Sequence, residues 1–108
     1  MRRGDVVIAV AQGDYGKPRP AVVVQSDIVQ QFDTVALAMI TTTFIETPDI
    51  RPVISPSPSN GLREQSEVMI DKVQPVRRAK VGAVIGRLSD DDMDRVTRSL
   101  ALFFGLAD

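Results

Sequence analysis

The apolar residues of this chain come in short, largely β-branched runs separated by polar or turn-forming residues. The runs are DVVIAVA at 5–11, AVVVQS at 21–26, TVALAMI at 34–40 and VGAVIGRL at 81–88. Runs of this length and make-up, bounded by turn formers, read as strands. IRPVIS at 50–55 alternates, but its internal proline confines it to a sheet edge. SEVMIDKVQPV at 66–76 reads as one or two short strands. QGDYGKPRP at 12–20 and PSPSNG at 56–61 are turn or loop clusters, and VGAVIGRL carries two glycines that fit a bulged strand.

Only the last segment changes period. Ser89 is a suitable N-cap, acidic residues fill the first turn, and Met93, Val96, Leu100 and Phe103/Phe104 recur at helical spacing before Gly105. Many short strands followed by one helix predict an α+β, mainly β fold: a small antiparallel barrel capped by a C-terminal helix. With 108 residues, one domain spanning 1–108 is expected. The helix end also carries Leu100, Leu102, Phe103, Phe104 and Leu106, more apolar surface than one face of a small barrel needs. A surplus of this kind predicts a homodimer.

Composition removes several classes of chemistry. Cysteine and histidine are both absent, so disulfides, thiolate catalysis, zinc–sulfur sites and imidazole ligands are excluded. Acid–base work falls to Asp, Glu, Lys, Tyr or a terminus. No apolar run is long enough to span a membrane, and the N-terminus reads as mature protein rather than a signal peptide. The expected setting is cytoplasmic, without cofactor or metal. Net charge is −1, but residues 1–89 hold eleven Lys/Arg against nine Asp/Glu, so the acidic excess sits in the tail. SDDDMD at 89–94 is better read as a helix N-terminus than as a metal site, since successive helical residues point about 100° apart.

Three places combine chemistry with restraint. In GKPRPAVVVQSD at 16–27, Arg19 lies between Pro18 and Pro20, which limit the backbone on both sides of it. A guanidinium fixed this way suits a planar, bidentate grip on phosphate, though arginines also pair structurally with carboxylates. MITTTF at 39–44 puts Thr41 at the end of a strand, either for β propensity or as a hydroxyl presented to a ligand. Asp71 falls inside the apolar stretch MIDKVQPV, either as a partly buried general base with a raised pKa or as the partner of Arg19 or a lysine. Lys72, next along a regular strand, would face the other way.

In order along the chain, Arg3-Gly4-Asp5, Arg19-Pro20 with its valine-rich strand and Ser26-Asp27, Ile40-Thr41, Ser66-x-Val68-x-x-Asp71 and Gly86-Arg87-Leu88-Ser89 form a pattern that resembles the MazF/PemK toxins. The resemblance covers nearly the whole chain. It implies an SH3-like barrel with a terminal helix, a homodimer, and a metal-independent endoribonuclease that cuts single-stranded RNA through the substrate's own 2′-hydroxyl. A cognate antitoxin would hold it inactive, and DNA would be met only through the toxin–antitoxin complex. Carried over by position, the resemblance implies Arg19, Thr41 and Asp71 as catalytic residues, and Tyr15, Lys17, Lys72 and Arg77 as RNA contacts. Two other readings stay open: a CcdB-like gyrase poison sharing the barrel, and a barrel that binds RNA or antitoxin without catalysis.

Overall fold

The computed structural model describes residues 1–11, 13 and 16–108. Seven strands and one helix follow in order: β1 (Asp5–Ala9), β2 (Arg19–Val23), β3 (Thr34–Thr41), β4 (Val53–Ile54), β5 (Ser66–Val68), β6 (Gln74–Arg77), β7 (Val81–Arg87) and α1 (Asp90–Phe103). All pairings are antiparallel. The strand order is β4-β5-β3-β2-β1-β7, with β6 also paired to β3. β3 is long enough to serve two partners on one edge: β6 along its first half and β5 at its last two residues. The sheet therefore curls into a half-barrel, in the mainly β, barrel-like architecture that the short strands predict.

The continuous apolar runs have a structural cause, because the central strands are buried on both faces. Val6, Val22, Ala38, Ile40 and Val68 pack on one side with Met93 and Val96 of α1. Val7, Ala21, Val23, Leu37 and Met39 pack on the other with Val76 of β6. A strand covered on both faces has no solvent side on which to alternate polar residues.

The two outer sequence signatures meet each other. Asp5 pairs with Arg87, the Leu88 N–H donates to the Gly4 carbonyl at 3.0 Å, and Arg87 binds the Asp5 carboxylate at 3.0 Å. The Arg87 guanidinium lies against Gly4, whose φ of +96° favours glycine. Arg-Gly-Asp and Gly-Arg-Leu-Ser thus clasp β1 to β7 and are structural.

Several sequence expectations shift. The strand expected from residue 50 shrinks to Val53–Ile54, beyond Pro52. The 66–76 segment splits into β5 and β6 around a 3₁₀ turn at Ile70–Lys72. Asp71 and Lys72 therefore sit in a turn and not inside a strand, so strand alternation does not set their directions. β7 is bulged against β1 at two places, as its glycines imply. The Ser89 side chain accepts the Asp92 N–H at 3.1 Å, capping α1. At the other end Gly105 (φ +72°) donates to Leu102 and Leu106 donates to Ala101, a Schellman closure. Phe103 and Phe104 are 44% and 54% exposed, since the cluster under the helix ends at Leu100, so they belong to the surplus apolar surface at the helix end.

Candidate active site

Register places the two residues with the strongest chemical promise side by side. In β2 and β3, Ala21 faces Met39, Val22 faces Ala38 and Val23 faces Leu37. Continuing that register to the strand ends sets Arg19 opposite Thr41. Arg19 also pairs with Ala9 on its other side, and Thr41 pairs with Glu67 of β5. Ala9, Arg19, Thr41 and Glu67 therefore form one row across the sheet, with side chains on the same face. Arg19 is the first residue of β2 and is exposed, so the sheet ladder and the flanking prolines both restrain its backbone.

The Thr41 hydroxyl is fixed in turn. Its Oγ1 accepts the backbone N–H of Thr43 at 3.0 Å. A hydroxyl that accepts in this way keeps its own hydrogen to donate. The adjoining residues Pro20 and Thr42 line a separate cavity of about 400 Å³ with Leu62, Arg63 and Ile85.

At the Glu67 end of this row lies an ionic cluster. Arg51 is 6% exposed, and Glu67 is fully buried. Arg51 grips Asp71 through two parallel bonds, Nε to Oδ1 at 2.8 Å and one terminal nitrogen to Oδ2 at 3.1 Å. Its other terminal nitrogen lies 3.8 Å from Glu67 Oε1. The Glu67 carboxylate accepts the backbone N–H groups of Ile45 at 3.2 Å and Glu46 at 3.1 Å. A charge taken out of water is tolerated only when its partners are all present, as they are here.

This cluster corrects the reading of Asp71 as a base with a raised pKa. The hydrogen bond from Arg51 holds the Asp71 carboxyl below the ordinary carboxylate range and outweighs the opposing effect of burial; the charges of Arg51 and Lys72 act in the same direction. Arg51 is raised, chiefly by the same bond. Asp71 is a fixed anion, its partner is Arg51, and it is not the counter-ion of Arg19.

The expected RNA contacts scatter. Lys17 is exposed on the approach to Arg19, and Lys72 is exposed in the 3₁₀ turn. Arg77 pairs with Thr34, at the opposite end of β3 from Thr41 and roughly 23 Å away along the strand. It lines a cavity of about 400 Å³ with Lys80, Val10 and Pro75. Tyr15 lies outside the described residues. Among the described residues, no group of three or more acidic side chains is placed to hold a metal ion.

Sequence reasoning missed Arg51 and Glu67. One signal was available: Arg51-Pro52 repeats the Arg19-Pro20 dipeptide.

Known proteins give the arrangement its context. A probable endoribonuclease MazF of Mycolicibacterium smegmatis is 42% identical over 108 residues, covering 99% of each chain. The Mycobacterium tuberculosis toxin MazF-mt6 superposes with a TM-score of 0.82 at 24% identity, covering 96% of this chain and 99% of that one. A mycobacterial endoribonuclease solved in complex with its cognate antitoxin superposes at 0.80, with 21% identity over 100% and 98% of the two chains. The family model for PemK-like, MazF-like toxins of type II toxin–antitoxin systems matches residues 2–104. A family model that matches nearly the whole chain and a relative at 42% identity show that this chain belongs to the PemK-like, MazF-like toxins.

Proposed function

We propose that this chain is an endoribonuclease toxin that cuts single-stranded RNA, acts as a homodimer in the cytoplasm, and is neutralised by a cognate antitoxin. The observation that supports the reading is the register of β2 and β3, which, continued to the strand ends, sets exposed Arg19 opposite Thr41.

The chemistry follows from what these two side chains can supply. RNA brings its own nucleophile: the 2′-oxygen attacks the adjacent phosphorus, the P–O5′ bond breaks, and the 2′-hydroxyl gives up its proton while the 5′-oxygen gains one. Negative charge grows on the non-bridging oxygens in between. A guanidinium presents paired N–H donors that match two phosphoryl oxygens. The prolines around Arg19 reduce the freedom lost in ordering that fork. Thr41 adds a neutral donor to the same group, its orientation set by Thr43. Asp71, committed to Arg51, acts on the architecture behind the site and leaves the substrate's proton to other groups. A flexible acidic chain that mimics RNA phosphates would be steered to the same basic corner, which fits direct occlusion by the antitoxin.

The products test the reading. Incubation with a mixed RNA is expected to leave 2′,3′-cyclic phosphate and 5′-hydroxyl ends, undiminished by chelators. One deoxynucleotide 5′ of the cut is expected to block that cut. Arg19→Ala is expected to slow cleavage by roughly 10²–10³, the usual loss for one transition-state charge donor. Products ending in 3′-hydroxyl and 5′-phosphate would refute the mechanism.

A further inference from the structure

The segment after Thr41 leaves β3 and carries two exposed apolar side chains, Phe44 (37% exposed) and Ile45 (52%). Exposed apolar residues on a loose loop would need no explanation. This loop is pinned at three points. The Thr43 N–H is bound to Thr41 Oγ1, and the Ile45 and Glu46 N–H groups are bound to the two oxygens of the fully buried Glu67. Glu46 is also the one non-glycine residue with a left-handed backbone among the described residues, at φ +60°. A non-glycine residue holds that conformation only where its surroundings enforce it. Glu67 is itself backed by Arg51 at 3.8 Å.

Phe44 is the residue between these pins. Three residues of chain limit its Cα to within about 11 Å of that of Thr41. Its side chain is neither buried nor fully free, with 37% of the residue exposed. We propose that Phe44 is a stacking platform for one base flanking the scissile phosphate, held in place by the Glu67 brace. This rests on the endoribonuclease reading. Base–aromatic stacking is worth about 1–3 kcal/mol per base and tolerates any base, so it adds affinity and sets where the strand lies. A peptide partner is the competing occupant, but proximity to the Arg19–Thr41 corner favours the nucleotide.

The test is a cycle between protein and substrate. Short single-stranded RNAs with one cut site are made with a single abasic nucleotide at each position around the cut. On intact RNA, Phe44→Ala is expected to raise KM by roughly 5- to 100-fold with kcat changed far less. Phe44→Trp should restore KM and Phe44→Leu should not. At one abasic position the penalty of Phe44→Ala should disappear. Circular dichroism and melting of each variant establish that it is folded. An unchanged KM in folded Phe44→Ala would overturn the proposal, as would a penalty that persists at every abasic position. So would a loss confined to antitoxin binding. If the wild-type chain cuts no RNA at all, the endoribonuclease reading falls and this one with it; if it cuts normally without Phe44, only the stacking falls.

Discussion

Asp71 shows how far a residue's neighbours decide its role. Its carboxyl is depressed because Arg51 donates two hydrogen bonds to it. A depressed carboxylate stabilises the fold above its unfolded pKa, and that contribution is lost as pH falls through the lower folded value. Asp71→Asn should therefore cost about 1–3 kcal/mol at neutral pH. That is less than the roughly 3–5 expected for a fully buried pair, because the Asp71 side chain is 31% exposed and Glu67 still faces Arg51. In urea titrations the gap between wild type and variant should be constant at neutral pH and close below the ordinary value of 3.8. A gap that stays constant into acid would mean the ion pair is not its source. A general base would lose most of its rate in the same variant; a fixed anion should not. Arg19 and Thr41 were legible in the sequence because proline framing and a strand end are local features. Arg51 and Glu67 were not, since their burial depends on which strands lie side by side.

At the scale of elements, legibility follows the same division. Continuous apolar runs and a change of period identify strands and helix directly. The break at Ile70–Lys72 is hidden, because apolar Met69, Ile70 and Val73 keep the look of a strand while the chain makes a 3₁₀ turn. The glycines of β7 fit a bulged strand, and Gly86 has a further reason. A Cβ there would lie 2.4 Å from the Asn60 carbonyl carbon and 2.6 Å from both the Asn60 and Ser59 oxygens. Those are backbone atoms, and the Ser59 carbonyl is committed to the Arg87 N–H at 2.7 Å. Neither side can yield without breaking the clasp between β7 and the 56–61 turn. Gly86→Ala should destabilise by about 1–3 kcal/mol or more, the cost of overpacking without room to relax. Thermal melts check this, and an unchanged midpoint would show that the turn is free to move.

For the whole molecule, the open question is what covers the end of α1. The helix buries Met93, Val96 and Ser99, and the core beneath it stops at Leu100. Phe103, Phe104 and Leu106 continue past that point at 44%, 54% and 82% exposure, with the two rings edge to face at 5.3 Å. Full burial of such a side chain is worth about 1.5–3 kcal/mol relative to full exposure. Scaled by these exposures, three side chains from each of two protomers supply about 5–10 kcal/mol, comparable with the lower range of association costs. The patch can therefore anchor a twofold interface without being the whole of it, and removing part of it should shift the equilibrium decisively. Sedimentation at micromolar concentration should show a dimer of the 11.8 kDa chain. Phe104→Ser combined with Leu106→Ser should yield monomer at the same concentration. Both positions lie beyond the buried stretch of the helix, so the melting of the monomer itself should barely change. A wild-type chain that sediments only at 11.8 kDa, or a double variant that remains dimeric, would place the interface elsewhere.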